Sequence, residues 1–250
     1  MFLFTHIEKC GGTSFNEVLS LTYPRYFHVT KNKYGGNETR NDLTSIQYHK
    51  IMNYCPQGIG GHSVRPYFDF LPQSKRITFF RDPLERYLSQ YNHMAERGWV
   101  TSIDDFLEIN FYSNFITKKI SGVDGDINYA ITLLDNYEFI GDVNRYNKSL
   151  NYLQDVLHVK LIGSINQKNV RKFNKNYLNL NDLSEKQYYK AEQNNQLDIK
   201  LYEKYILSKN ILNQYNDDII LKKPSKLRLK LLSKINTYKK YKIITPLRLE

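Results

Sequence analysis

The chain has 250 residues, with 36 Lys and Arg against 25 Asp and Glu and a formal net charge of +11. That length suits one domain with a substantial core. Ten basic residues and a single acid, Glu250, lie from Lys222 onward, a net of +9, while the residues before them hold 26 basic and 24 acidic, so the body is near neutral and lacks the basic face that nucleic-acid binding requires.

The opening segment, Phe2 to Ser14, runs as an apolar strand into Glu8-Lys9-Cys10-Gly11-Gly12-Thr13-Ser14 and then into a helix over about 13–21. Gly11 and Gly12 let the backbone wrap an anion, so that the amides of Gly12, Thr13 and Ser14 meet it at a helix N-terminus. Lys9 adds a full charge, and the Thr13 and Ser14 hydroxyls add donors. Lysine precedes the glycines here, whereas a Walker A loop places it after them. On its own the motif is also compatible with a glycine turn and a capped helix.

The stretch from Tyr23 to Asn41 is polar and rich in Gly and Asn, with Gly35-Gly36 as a turn, and a short helix follows over 43–53. Ile59-Gly60-Gly61-His62-Ser63 reads as a brief buried strand and Lys75–Phe80 as another. Arg81 then stands at a strand's carboxyl edge, Asp82 caps a helix running from Pro83 to about Arg97, and Ser89 lies two turns along it. Apolar spacing predicts helices near 102–119, 126–135 and 146–157, and over 184–193, capped by Ser184, and 195–208. Tyr137–Gly141 and Lys160–Gly163 read as further strands. In an α/β sheet the carboxyl ends of parallel strands share one edge, so the turn after Ile7 and the turn at Arg81 can face one ligand. Two anion sites at one edge suit a nucleotide with phosphates at both ends.

Taken together, the two segments resemble the Golgi-type carbohydrate sulfotransferases, in particular the uronyl and heparan 2-O-sulfotransferase branch. That family opens with H-I-P-K-T-G-G-T-S and later carries F-x-R-D-P-x-x-R-x-x-S; the likeness spans roughly residues 2–208. It implies an α/β, P-loop-like sulfotransferase fold, with a central, mainly parallel sheet flanked by helices over residues 1–221 and a basic segment over 222–250. It implies transfer of a sulfuryl group from 3′-phosphoadenosine 5′-phosphosulfate (PAPS) to a carbohydrate hydroxyl, on a polysaccharide or glycolipid, without a metal. By the same likeness Lys9, Cys10, Gly11, Gly12, Thr13 and Ser14 hold the 5′-phosphosulfate. Arg81 and Ser89 hold the 3′-phosphate, and Arg86 is the motif's second arginine. Glu8 and Cys10 depart from the family's proline and threonine, and Glu8 brings a carboxylate near a dianion.

Sulfuryl transfer needs a general base and a fixed cation. His62, in Gly61-His62-Ser63-Val64-Arg65, matches the family's G-H-V-R segment and is the expected base, with Lys9 as the catalytic cation. Glu17 is the rival base, His6 has a supporting role, and Arg65 is the expected acceptor-binding residue. Gly60 stands where the family carries a second histidine. Asn166, Lys168 and Arg171 lie in a late loop that closes over the nucleotide in the family. No histidine pairs with Cys, Asp or Glu at metal-ligand spacing.

Three other readings stand beside this one. A P-loop-type kinase or phosphotransferase would require Mg²⁺ and a G-K-[ST] loop. A cysteine phosphatase on Cys10 would need arginine six residues on, where Asn16 stands. A nucleic-acid binder lacks a basic body.

Cys10 and Cys55 form no disulfide framework, no apolar run reaches the ~18 residues of a membrane span, and the chain starts at its first strand without a signal peptide. These features point to a soluble, bacterial-type, cytoplasmic enzyme. In the basic segment Leu227, Leu231, Ile235 and Tyr238 recur at helical spacing among Lys226, Arg228, Lys230, Lys234, Lys239 and Lys240. Such a helix lies on an anionic membrane, at its inner face, or packs its leucines on the domain and leaves its lysines in water, or grips an acidic polysaccharide.

Overall fold

The computed structural model describes residues 1–29, 42–66, 71–122, 124–163 and 177–244. Its centre is a five-stranded, all-parallel sheet in the order β2-β3-β1-β4-β5, formed by β1 (Phe2–Thr5), β2 (Tyr26–His28), β3 (Gly58–Gly61), β4 (Lys75–Phe80) and β5 (Phe139–Asp142). The α/β class and the parallel sheet agree with the sequence reading. Strands buried on both faces read as unbroken apolar runs. Phe2 and Phe4 enter one core and Leu3 the other, as the two-residue period requires. Phe4, Phe15, Phe79 and Phe139 stack edge to face at 4.7, 4.8 and 5.2 Å between centroids, tying three strands to the first helix.

The chain adds β2 and β3 on one side of β1, and β4 and β5 on the other. The carboxyl ends of β1 and β4 therefore flank the switch point, where open parallel sheets form their binding crevice. The helices around the sheet are α1 (Gly12–Thr22), α2 (Ser45–Met52), α3 (Pro83–Ala95), α4 (Ile103–Leu107), α5 (Phe115–Ser121), α6 (Ile127–Leu134), α7 (Tyr146–Leu157), α8 (Glu185–Asn194), α9 (Gln196–Tyr202) and α10 (Lys226–Lys239).

Four expectations change. The helix expected over 102–119 breaks into α4, a 3₁₀ turn at Asn110–Tyr112, and α5. Asn114 adopts φ 47° at the break and its side chain accepts hydrogen bonds from the amides of Leu197 and Asp198. β2 was hidden inside the polar stretch, because three residues at a sheet edge carry little periodicity. The strand expected at Lys160–Gly163 is a single parallel bridge between Ile162 and Lys222. The helix expected over 195–208 is α9 followed by a π-helical turn at Glu203–Leu207. The Gly35-Gly36 turn and Asn166, Lys168 and Arg171 lie outside the described residues.

Candidate active site

The loop from β1 to α1 is curled by two left-handed residues, Lys9 and Gly11, both at φ 68°. The first helical bond of α1 runs from the Phe15 amide to the Gly11 carbonyl, so the amides of Gly12, Thr13 and Ser14 precede it, and no side chain caps this end. Gly12 has no alternative: a Cβ there would stand 1.9 Å from Nε2 of His6. Helix α3 is built differently. Oδ1 of Asp82 accepts from the amides of Leu84 and Glu85, each at 3.0 Å, so its own carboxylate closes that end. On this side the groups offered to the cleft are therefore side chains, Arg81 and Ser89, both half-buried. Arg81 is steadied by a 3.2 Å bond to Glu85, which also accepts from Asn144.

These two loops open on one cleft of about 1110 Å³, lined by Lys9, Gly11, Gly12, Thr13, Ser14, His62, Arg81 and Ser89. Tyr177, Asn179, Asn181, Asn92, His93 and Trp99 line it too. The volume lies just above the range for small-ligand sites, roughly 300–1,000 Å³.

His62 follows β3, where Gly61 adopts φ 134° and has no room for a Cβ, which would fall 2.0 Å from the Val29 carbonyl oxygen. Nδ1 of His62 lies 3.1 Å from Oε1 of Glu8 and 3.2 Å from the His6 carbonyl oxygen. Two acceptors at Nδ1 place the proton there and leave the lone pair of the neutral ring on Nε2. Glu8 is held in turn by Lys119, whose Nζ donates to Oε1 at 3.0 Å and to the His62 carbonyl at 2.8 Å. Burial alone would push the Glu8 carboxyl up, but Lys119 and then His62 outweigh it and hold it well below the usual carboxylate range. Burial pulls the Lys119 ammonium down to about 8, against the opposing pull of Glu8. The other oxygen of Glu8, Oε2, is buried and takes no hydrogen bond among the described residues.

His6 stacks on His62 with centroids 3.9 Å apart. Asn16 Nδ2 lies 3.2 Å from its Nδ1, which therefore accepts, so this ring carries its proton on Nε2. Burial, and then His62, lower its pKa well below the ordinary histidine value. Asn16 is itself held by the Tyr26 hydroxyl. That hydroxyl also explains Gly60: a Cβ there would meet it at 2.2 Å, leaving no room for a second histidine.

Three residues named from the sequence motifs are buried. Arg65 is 3% exposed, bonds Asp42 through Nε and the Lys119 carbonyl through Nη1 at 3.3 Å, and is not among the cleft-lining residues. It anchors α5 beneath Lys119 instead of facing an acceptor. Cys10 is 1% exposed and part of the core, and burial pushes its thiol up to about 12, so only its backbone belongs to the loop and it is no nucleophile. Arg86 is fully buried, 4.8 Å over the Phe115 ring and bonded to the Tyr112 carbonyl, so it braces α3 against α5. Glu17 does not line the cleft. The residues that sequence reasoning missed are Glu8, Lys119 and the Trp99 side of the cleft. The one available signal was the departure at Glu8 itself, a charge where the family pattern has proline.

A parallel α/β sheet thus brings an uncapped helix N-terminus, two cationic side chains and an imidazole to one cleft, a set of groups suited to an anion. Residues 1–120, just under half of the chain, match the model of the sulfotransferase family. The matched stretch contains Glu8, Lys9, His62, Arg81, Ser89 and Lys119. No curated protein matches the chain. Among the described residues, no group of three or more His, Cys, Asp or Glu side chains is placed to hold a metal ion, and no helix is long and apolar enough to cross a membrane.

Proposed function

We propose that this protein transfers a sulfuryl group from PAPS to a carbohydrate hydroxyl. The observation that carries the reading is the convergence of the Lys9–Ser14 loop, Arg81, Ser89 and His62 on one cleft. The residues fit the donor. The uncapped amides of Gly12, Thr13 and Ser14, with Lys9, would hold its 5′ end, and Arg81 with Ser89 its 3′-phosphate. The donor supplies the sulfuryl group and leaves as 3′,5′-adenosine bisphosphate.

Nε2 of His62 takes the proton of the acceptor hydroxyl as its oxygen bonds to sulfur and the bond from sulfur to the phosphate oxygen breaks. Glu8 stabilises the imidazolium that forms, and Lys119 keeps Glu8 ionised. Lys9 offsets the charge gained by the departing phosphate. Trp99, 61% exposed, and the amides of Asn179 and Asn181 give the cleft an aromatic face with polar neighbours, a combination suited to a sugar ring.

Titration calorimetry with 3′,5′-adenosine bisphosphate and 5′-AMP tests the assignment of the two ends. Arg81→Ala should weaken the bisphosphate ~10- to 100-fold, the worth of a charge-assisted bond, and leave 5′-AMP nearly unchanged. Equal loss for both ligands rules it out. Incubation of sulfur-labelled PAPS with a panel of glycans, with and without Mg²⁺, tests the reaction. Label transfer without the metal supports it, and phosphate transfer from Mg·ATP instead would favour a kinase.

A further inference from the structure

Helix α10 lies against α1 and β2, and the side chains that hold it there are mainly its cations. Nε and Nη2 of Arg228 donate to the carbonyls of Leu21 and Thr22, each at 2.9 Å. These are carbonyls of the last turn of α1, where a cation is favoured. Nζ of Lys239 donates to the carbonyls of Pro24 at 2.6 Å and Tyr26 at 2.9 Å, and sits 5.2 Å over the Phe27 ring. Between them Leu232 is 3% exposed and Ile235 is half-buried. Positions 228, 232, 235 and 239 thus form the docking face, with the spacing of one helix side.

The leucines that a surface helix ordinarily buries point elsewhere. Leu227, Leu231 and Tyr238 are 77%, 56% and 57% exposed, and their spacing of four and seven residues makes them one stripe beside the docking face. Lys226, Lys230 and Lys234 are also exposed, on the side turned away from the body. Lys222, Lys223, Lys240 and Lys242 extend the exposed positive charge beyond both ends of the helix. The sequence from Ile219 to Leu249 contains no Asp or Glu. Leu232 packs on the domain, whereas Leu227, Leu229 and Leu231 remain exposed.

We propose that α10 is a membrane-docking surface that lies along an anionic lipid bilayer, with Leu227, Leu231 and Tyr238 in the headgroup boundary and the lysines against lipid phosphates. Charge complementarity selects this occupant. A second copy of the chain would bring two strongly basic helices together, and an acidic polymer would match the lysines and leave the apolar stripe in water. An anionic lipid surface satisfies both features at once. Tyr238, with an apolar ring and a polar tip, suits the interface. The inference does not depend on the sulfotransferase reading, because its test measures lipid binding alone.

Co-sedimentation of the full chain with phosphatidylcholine vesicles containing about one third phosphatidylglycerol, at low ionic strength, is the test. The protein should pellet with these vesicles and stay in solution with pure phosphatidylcholine. Each surface-bound lysine contributes roughly fivefold in affinity, so Lys226→Gln with Lys230→Gln and Lys234→Gln should weaken binding by about a hundredfold. The triple variant Leu227→Ser, Leu231→Ser and Tyr238→Ser should weaken it at least ~10-fold. All three of those side chains are largely in water, so the fold should be kept, as an unchanged melting curve would show; Leu227→Ser alone, with a smaller loss, covers the case in which it is not. Failure of the wild-type chain to pellet with anionic vesicles overturns the proposal. So does full binding by the serine variant, or capture of wild type and serine variant alike by dextran sulfate with no vesicle binding.

Discussion

Glu8 stands between a buried ammonium and an imidazole, and its charge acts on both. If His62 is the base and Glu8 its support, their losses should not add. His62→Ala should lower turnover ~10²–10⁴-fold while 3′,5′-adenosine bisphosphate still binds. Glu8→Gln should lower turnover by a smaller factor, and the double variant should be no slower than His62→Ala alone, because residues that act as a unit are not additive. Single-turnover kinetics on the three variants checks this, and multiplicative losses would break the link. The pH dependence of stability follows from the depressed Glu8 carboxyl. Its folded pKa lies below the unfolded value near 4.5, so the unfolded chain takes up the proton first. The stabilisation is complete above that value and is lost as pH falls through it toward the folded one. The gap in melting temperature between wild type and Glu8→Gln should therefore be widest near neutrality and close in acid. Sequence reading could single out Lys9, His62, Arg81 and Ser89, which line one cleft, because each belongs to a short local motif. Lys119 was not legible in that way: it reaches Glu8 across 111 residues, and without it Glu8 reads as a misplaced carboxylate.

At the level of elements, the caps were the most readable feature and the breaks the least. Asp82, Ser184 and Pro83 occupy the positions that their chemistry predicts, because capping depends on a few neighbouring residues. The break inside 102–119 depends on Asn114 answering amides of α9, more than eighty residues away, which no local pattern reports. The same dependence on distant contacts hid β2, which is a strand only because β3 pairs with it. The contrast between α1 and α3 gives a test at this scale. Asp82→Ala removes both cap bonds and should cost about 1 kcal/mol, or roughly 2–4 °C in melting temperature for a domain of this size. Nucleotide affinity should fall as well, since Arg81 precedes the cap directly. A melting temperature within error of wild type would show that the Asp82 bonds contribute nothing net.

For the whole molecule, the sheet order determines what a ligand does to stability. The Lys9–Ser14 loop follows β1, His62 follows β3, Arg81 follows β4, and Val143, Asn144 and Tyr146 follow β5. A ligand in the cleft therefore touches the ends of four neighbouring strands and favours the state in which all are assembled. Only the folded chain brings them together, so binding must raise the unfolding free energy by mass action. With 3′,5′-adenosine bisphosphate at a hundred times its dissociation constant the gain is about 2.7 kcal/mol, and at roughly 2–4 °C per kcal/mol the melting temperature should rise by about 5–10 °C. The rise should scale with the logarithm of ligand concentration. At the same concentrations it should be much smaller for 5′-AMP, which lacks the group that Arg81 and Ser89 would hold, and in Arg81→Ala the two nucleotides should become alike. A thermal-shift series over both nucleotides and both proteins makes the measurement. Equal shifts for the two nucleotides in the wild-type chain would mean that the β4 side of the cleft does not hold a 3′-phosphate.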